Sequence, residues 1–293
     1  MTSAQPFLQV LASGLAMGLI YALIAVGLSL IFGLMDVVNF AHGEFLMLAM
    51  YATFGLFFET ALDPIVLAPL VVAIMFVLGI SVYAGVVRYA MRAKTNPGMV
   101  QIFATFGLAI LIQGLAQYFF TPDYRSIPNT WLGGKTLNLG GVFLPWPQIY
   151  GGAISLATFL GLYLLISRTD FGKALEATRE DQGAVALVGI DRNRIFALGW
   201  GLGAALVGLA GAVLAIFYYI HPNVGGTFAL VAYVTVALGG FGSIFGALVA
   251  GIIVGVVEAL TTLILPPALK SVGIFTLYLG VLFIRPSGLL GRL

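Results

Sequence analysis

The sequence has no cysteine and very little charge. None of its 293 residues is cysteine, which excludes a disulfide framework, a thiol nucleophile and a cysteine-based metal site. Charged residues make up only 8% of the chain, whereas soluble domains carry roughly 25%. Hydrophobic residues make up 61%, and the mean hydropathy is +1.09. The composition therefore excludes a soluble protein and predicts an integral protein of the lipid bilayer.

Several kinds of site are missing as well. A net charge of +2, with no basic patch outside the loops, gives no indication of a nucleic-acid partner. His42 and His221 are far apart and lack a surrounding cluster of metal-ligating side chains, so we predict no metal site and no bound cofactor. Gly134-Lys135-Thr136 resembles the end of a phosphate-binding loop, but Asn129 stands where that motif requires glycine. An enzyme would need a nucleophile or a metal cluster that the sequence does not show, so we predict no catalytic residues.

Apolar runs alternate with short polar breaks along the whole chain. A membrane-crossing helix needs ~20 mostly apolar residues. We therefore predict an all-α, polytopic helical bundle of about eight transmembrane segments, with 45–58 and 228–240 short or broken, in a single domain spanning 1–293. Eight of the apolar runs are Phe7–Leu34, Phe45–Phe58, Ile65–Val87, Val100–Phe120, Ile149–Ile166, Ile195–Ile220, Ile244–Leu265 and Leu269–Ile284, and Phe228–Leu238 in addition is only about half a span.

The distribution of lysine and arginine predicts the orientation, because these residues favour the cytoplasmic side of a membrane. The groups predicted to be cytoplasmic are Arg88, Arg92, Lys94, the segment 168–194, Arg285 and Arg292. The loop 121–147 is then expected outside, and its two alternating runs around a Gly-Gly pair predict a β-hairpin. The position of the N-terminus depends on whether 45–58 and 228–240 fully cross, which the sequence leaves open.

The two short segments resemble each other. Gly43–Ala49 and Gly226–Ala232 both match G-x-F-x-x-x-A, and each follows a long span that ends in a polar break containing Asn and His. Because five crossings separate the two parent spans, a repeat here would be inverted in the membrane. Paired interrupted segments of this kind point to a transport site. Chance similarity in an apolar chain is the alternative, so the inverted repeat is a hypothesis.

Four polar groups lie within nine residues between the first two segments: Asp36, Asn39, His42 and Glu44. Ionised side chains at mid-membrane cost about 2.5–3.5 kcal/mol, so such groups usually face a cavity or the bundle interior. We interpret Asn39, His42 and Glu44 as candidates for the lining of a path for a polar solute. The alternative is a solvent-exposed cytoplasmic turn, and for Asp36 this alternative is favoured.

Glu258 is the only acidic residue in its apolar segment. It is a further candidate for the path, because an ionisable group inside a membrane span usually has a functional partner. The alternative, which we favour, is an ion pair across a helix interface with Lys270.

Charge is concentrated in 168–194, which holds ten of the 24 charged residues within 27 positions. Asp170 is placed to cap a short helix, and apolar residues recur on one face at i, i+3, i+4 and i+7. Gly183 should break this helix, a second turn should follow to Gly189, and Asp191 should cap the next span. Two short helices with charge facing outward could be held by a partner protein. The alternative is a solvated amphipathic linker on the lipid surface.

Four motifs in order along the chain resemble one family. They are LIFGLMDVVNFAHGEFLMLAMY (30–51), FGKALEATREDQGAVALVGI (171–190), VALGGFGSIFGALVAGIIVGVVE (236–258) and FIRPSGLLG (283–291). Together they are similar to the LivH-type permeases of branched-chain amino acid ATP-binding-cassette (ABC) importers. The second motif resembles the cytoplasmic coupling segment of such permeases, known as the EAA loop.

The resemblance implies a multi-pass permease subunit of the bacterial inner membrane, which pairs with a LivM-type second permease, two cytoplasmic ABC ATPases and a periplasmic binding protein. ATP and Mg²⁺ would bind only to the ATPases, and the loop 121–147 would be periplasmic. Glu176 and Ala177 take the first two places of the EAA pattern, whereas Gln182 stands where glycine is expected, with Gly183 after it. The residues implied to couple to the ATPases are Lys173, Glu176, Ala177, Arg179, Glu180, Asp181, Gln182, Gly183 and Gly189.

The resemblance leaves the substrate open. Similar permeases serve importers of branched-chain amino acids, of other amino acids, of amides and of urea, and hydrophobic amino acids are the expectation. A self-sufficient secondary carrier or channel is the alternative from another class, motivated by the hypothetical inverted repeat and the intramembrane acids.

Overall fold

The computed structural model describes residues 4–291 and consists almost entirely of helices, which confirms the all-α prediction. Seven of its helices are long and apolar enough to cross a membrane, so the polytopic prediction is also confirmed. The elements are α1 Ala4–Met35, α2 His42–Thr60, α3 Pro64–Ala90, α4 Pro97–Phe120, β1 Thr136–Leu139, β2 Val142–Pro145, α5 Trp146–Arg168, α6 Asp170–Glu180, α7 Ala184–Leu187, α8 Arg192–Leu214, α9 Val224–Gly239, α10 Ile244–Thr261 and α11 Lys270–Ile284.

Side-chain caps and turn residues set several of these boundaries. Asp63 caps α3 by accepting a hydrogen bond from the backbone N–H of Ile65 at 3.0 Å, and Pro64 follows at the first helical position. Strands β1 and β2 pair in antiparallel fashion and confirm the predicted hairpin. Gly140 and Gly141 form its turn with φ of 61° and 95°, which residues with side chains rarely adopt.

The loop 121–147 closes one end of the bundle. The Gln9 side chain near the start of α1 accepts a hydrogen bond from the backbone N–H of Phe143 at 2.6 Å. The second carboxylate oxygen of Asp63 accepts one from the N–H of Trp131, also at 2.6 Å. Arg125 pairs through its backbone with Ile220 beyond the end of α8. We call this the loop end.

The coupling segment 168–194 lies at the opposite end. The side chain of Gln182 donates a hydrogen bond to the carbonyl oxygen of Leu34, near the end of α1, at 3.1 Å. Basic residues from separate loops meet there, because Arg88, Arg92 and Arg192 border one cavity. We call this the coupling end. Its assignment to the cytoplasm stays a prediction, and Arg292 lies outside the described residues.

Helices α2 and α9 begin inside the bundle and diverge. The Nε2 atom of His42, in the first turn of α2, lies 2.9 Å from the carbonyl oxygen of Ile24, in the interior of α1. Gly43 packs directly against Gly225 in the first turn of α9. From this contact α2 runs to Asp63 at the loop end, whereas α9 runs to the coupling end, where the N–H of Leu290 bonds to the carbonyl of Gly239 at 3.1 Å.

The opposite directions of α2 and α9 are what an inverted repeat requires, and the repeat itself stays a prediction. A methyl group on Gly43 would meet the carbonyl oxygen of Gly225, and one on Gly225 would meet that of Gly43. Gly27 of α1 and Gly203 of α8 approach each other in the same reciprocal way. Gly239 and Gly246, at facing ends of the consecutive helices α9 and α10, are reciprocal in the same way, so these contacts show close packing at small residues. The partner of Gly43 is Gly225, one residue before the glycine that the sequence motif aligns with it.

Candidate functional site

The contact between the starts of α2 and α9 forms a buried polar junction, which we define by Asn39, His42, Glu44, Gly225 and Tyr233. Asn39 and His42 are fully buried, and Glu44 is 7% exposed. The segment 36–41, between α1 and α2, carries Asn39 into the bundle, and the first turn of α2 places His42 and Glu44 beside it. The structure therefore places three of the four residues predicted to line a path in or just before the first turn of α2, with His42 turned towards α1 and Glu44 towards α9.

Each of these three side chains keeps one buried polar atom without a hydrogen-bond partner among the described residues. These atoms are Nδ2 of Asn39, Nδ1 of His42 and Oε2 of Glu44. The other side-chain polar atoms of Asn39 and His42 have partners. Asn39 Oδ1 accepts a hydrogen bond from the N–H of Ala41 at 3.0 Å, and His42 Nε2 lies against the carbonyl oxygen of Ile24. Unpaired buried polar atoms are costly, and they concentrate at functional sites.

Close backbone contact holds the junction together. The carboxylate of Glu44 lies against Gly225, where a methyl group would be 2.8 Å from Oε2. From the far side, the hydroxyl of Tyr233 donates to the carbonyl oxygen of Phe40 at 3.0 Å. Tyr233 comes from the middle of α9, so both diverging helices contribute to the site. Sequence reasoning missed Tyr233 and Gly225, because neither stands out from an apolar helix with many glycines.

Glu258 lies in a separate cavity near the loop end. This cavity, of about 420 Å³, is bordered by α1, α10 and the start of α11, and its lining does not include Asn39, His42 or Glu44. Within it, Oε1 of Glu258 pairs with Nζ of Lys270 at 2.8 Å. The favoured alternative for Glu258, an ion pair with Lys270, is therefore confirmed, although the pair also faces a cavity.

Two tyrosines complete the surroundings of this ion pair. Tyr21 of α1 and Tyr218, between α8 and α9, line both the 420 Å³ cavity and a second one of about 180 Å³ that shares Glu258 and Lys270. Tyr21 therefore lies beside the ion pair, in the same two cavities as Glu258. Sequence reasoning missed both tyrosines, because an aromatic residue in an apolar segment has the pattern of a core residue.

At the coupling end, the segment 168–194 folds as two short helices. Thr169 caps α6 by accepting a hydrogen bond from the N–H of Gly172 at 3.1 Å. Asp170 was expected in that role, but it is the first helical residue and pairs instead with Lys173 at 3.3 Å. Leu175 and Thr178 are buried on the inner face, which confirms the predicted face.

The break between the two helices falls at Gly183, as predicted. Helix α6 ends at Glu180, and the carboxylate of Asp181 accepts hydrogen bonds from the N–H groups of Gly183 at 2.7 Å and Ala184 at 2.9 Å. The N–H groups of Ala184 and Gly183 lower the pKa of the Asp181 carboxyl, because they stabilise its charged form. Gly189 ends the second helix with φ of +80°. Asp191 caps α8, also as predicted.

Most of the residues expected to couple to a partner face outward or line a cleft. Lys173, Glu176, Arg179 and Glu180 border a cavity of about 690 Å³, opposite aromatic residues that include Phe241. Beyond them, Leu187 is 89% exposed and Val188 is 75% exposed. These two apolar side chains are the outermost part of the segment, and their exposure was not predicted from the sequence.

Comparison with known proteins gives a consistent result. The family model described as branched-chain amino acid transport system / permease component matches residues 10–282. The high-affinity branched-chain amino acid transport system permease protein BraD of Pseudomonas aeruginosa is 32% identical, over 98% of this chain and 96% of its own length. The corresponding LivH of Escherichia coli is 30% identical over the same shares. A probable LivH of Methanocaldococcus jannaschii is 26% identical over 92% of this chain and 88% of its own length. No solved structure matches the chain.

Proposed function

The chain belongs to the branched-chain amino acid transport permease family, and from this membership we propose that it is the membrane subunit of an ATP-driven importer of branched-chain amino acids. Its partners would be a second permease of the LivM type, two cytoplasmic ABC ATPases and a periplasmic binding protein, in a bacterial inner membrane. ATP and Mg²⁺ would act in the ATPases, and this chain would provide the path.

One contact supports the coupling role most directly. Gln182 of the charged segment bonds to the backbone of Leu34, at the end of the helix that leads into the buried junction. The guanidinium of Arg179 lies close to both Gly33 of α1 and Gly242, between α9 and α10. A displacement of the segment by an ATPase would therefore act on α1 and on the α9–α10 turn. The exposed pair Leu187 and Val188 provides apolar area for the partner to bury.

Charge reversal tests this coupling. We expect Glu176→Lys combined with Arg179→Glu to abolish ATP-driven uptake in proteoliposomes and to weaken retention of the ATPases during purification. The matched control is Lys135→Glu, an exposed charge at the loop end, which should leave both readouts unchanged. Intact transport and ATPase binding in the double variant would reject the coupling role.

The buried junction supports a role in the path. Helices α2 and α9 both start there and run to opposite ends, so a rocking movement of one repeat against the other would change access to Asn39, His42 and Glu44 first. Their unpaired polar atoms are available to hydrogen-bond a polar solute during passage. Glu258 would contact the solute at the cavity near the loop end, before the solute reaches the junction.

Conservative substitutions separate this role from a structural one. We expect Asn39→Ser, which keeps an acceptor for the N–H of Ala41, or Glu44→Gln to lower the maximal uptake rate at least tenfold, with ATPase binding and thermal stability within the range of the parent. The control is Glu59→Gln, at the exposed end of α2. Normal uptake by both junction variants would remove these residues from the path.

The substrate and the energy source are tested with the assembled proteins. The binding protein that co-purifies with this permease should carry leucine, isoleucine or valine, and a bound amide, urea or other amino acid would reassign the substrate within the family. The chain alone in liposomes should show no ion-driven uptake. Uptake without ATPases would favour the secondary carrier instead.

A further inference from the structure

A second polar cavity lies at the coupling end, apart from the path. It has a volume of about 310 Å³ and lies between the end of α3, the start of α4 and the start of α8. Three arginines from separate stretches of chain border it, namely Arg88, Arg92 and Arg192, and no acidic side chain belongs to its lining. We call it the arginine pocket.

The three arginines of the pocket have no ionic partner in the part of the chain that the structure describes. Two acids adjoin lining residues in the chain: Asp36 lies between Met35 and Val37 and is exposed, and Asp191 precedes Arg192 and uses a carboxylate oxygen to cap α8. Tyr83, whose hydroxyl bonds to Asn193 at 3.2 Å, lies within electrostatic range of all three arginines and of Asp191. Three guanidinium groups therefore border one small volume, and no carboxylate of the described residues belongs to its lining.

A helix terminus adds to the positive electrostatic potential of the arginine pocket. Helix α4 begins at Pro97 beside the pocket, and Asn96 before it makes no side-chain cap, so its first N–H groups are available. The positive end of the helix dipole favours an anion at this position. Gln101, in the next turn, also lines the pocket and is only 2% exposed.

The surroundings favour a lipid over a soluble anion. The pocket lies where three helices begin or end, and the ends of membrane-spanning helices are expected near the boundary between hydrocarbon and headgroups. Large apolar side chains continue from it along the outer surface: Tyr89 is 65% exposed, Met99 57% and Phe103 67%. Acyl chains could lie against this surface while a phosphate enters the pocket, and Tyr89 is of a type enriched at the membrane interface.

We propose that the arginine pocket binds the phosphate group of an anionic phospholipid in the leaflet at the coupling end. Arginine presents a planar set of donors that suits phosphate oxygens. Gln182 of the coupling segment also lines the pocket, so the bound lipid lies next to the residue that ties this segment to α1. Occupancy would therefore stabilise the coupling segment in its position.

The test measures lipid binding by the full-length chain in uncharged detergent. Phosphatidylglycerol, phosphatidylcholine and inorganic phosphate are titrated separately, with native mass spectrometry and the melting temperature as readouts. Each basic residue near a membrane surface contributes ~1 kcal/mol towards anionic lipid, or roughly fivefold. The variant Arg88→Gln/Arg92→Gln/Arg192→Gln should therefore bind phosphatidylglycerol about 100-fold more weakly than the parent. Arg168→Gln, an exposed arginine at the same end but outside the pocket, should bind like the parent.

Each other result overturns the proposal. Equal binding of phosphatidylglycerol by the parent and the triple variant would show that the lipid binds elsewhere. Stabilisation by inorganic phosphate alone would assign the pocket to a soluble anion. The parent and the triple variant are also mixed with the ATPases, and loss of ATPase binding by a triple variant that keeps the lipid would assign the pocket to that protein interface. If the triple variant does not fold, the single variant Arg192→Gln replaces it. This variant should bind phosphatidylglycerol roughly fivefold more weakly than the parent.

Discussion

Substitution of Gly225 by alanine tests the junction from which α2 and α9 diverge. A methyl group there would lie 2.7 Å from the carbonyl oxygen of Gly43 and 2.8 Å from the carboxylate of Glu44. Ordinary van der Waals contact begins at 3.4 Å, so the two helices would have to separate by roughly 0.7 Å or distort. Overpacking of this kind costs about 1–3 kcal/mol, and small residues are what allow membrane helices to approach so closely.

The next residue provides a matched control. Gly226 is also in the first turn of α9, but a methyl group there has nothing within 4 Å. Both substitutions change the intrinsic helix propensity by a similar amount, so the difference between them isolates the contact. We expect Gly225→Ala to be less stable than Gly226→Ala by about 1–3 kcal/mol.

The measurement is reversible unfolding in mixed micelles with increasing denaturing detergent, followed by far-ultraviolet circular dichroism, with uptake measured in parallel. Gly43→Ala should behave like Gly225→Ala because the contact is reciprocal, with Gly55→Ala in the same helix as its control. Equal stability of Gly225→Ala and Gly226→Ala would refute the close approach of α2 and α9, and with it the geometry of the junction.

Three further predictions concern the ends of the bundle. Asp191→Ala should destabilise the protein by about 1 kcal/mol through loss of the α8 cap, whereas Asp191→Asn should retain most of the stability in the same thermal assay. Because hydrogen bonds lower the pKa of Asp181 in the folded protein, the stability they contribute is complete above the usual carboxyl pKa of about 3.9 and is lost as the pH falls through the lower folded value. The protection of amide protons in the coupling segment, corrected for the intrinsic pH dependence of exchange, should fall over that range, and Asp181→Asn should remove this pH-dependent change in protection. Lys270→Met should destabilise the chain by about 1–3 kcal/mol, because it leaves the Glu258 carboxylate without its partner. Glu258→Gln in the same chain should restore part of the lost stability. An equal melting temperature for Lys270→Met and the parent would contradict the ion pair.

Short-range features could be predicted because a few neighbouring residues decide them. The hairpin of 136–145 follows from alternating strands around two glycines, and the break at Gly183 and the cap at Asp191 follow from local hydrogen bonding. The cap of α6 was assigned one residue too late, to Asp170 instead of Thr169. Both side chains can cap, and the backbone conformation of Thr169, with φ of −109° and ψ of 156°, decides between them.

The candidate site was predictable only in part. Asn39, His42 and Glu44 are close in sequence, so their proximity in space follows from the short connection between α1 and α2. The sequence could not show that Gly225 and Tyr233 complete the junction, because they come from a helix about 180 residues further along. Glu258 and Tyr21 likewise meet only after α10 has packed against α1.

The sequence by itself determined that the protein lies in a membrane, where most of its spans fall, that the coupling segment is amphipathic and which family the chain belongs to. These features could be predicted because hydrophobicity, helix periodicity and motifs are properties of contiguous residues. The tertiary structure alone decided that α2 and α9 start at one point, that Glu258 faces a cavity and that three arginines from separate loops share one pocket. The physical reason is that membrane helices offer each other similar apolar surfaces. Their partners are chosen by close packing at small residues and by a few polar contacts, which form only between segments that are distant in sequence.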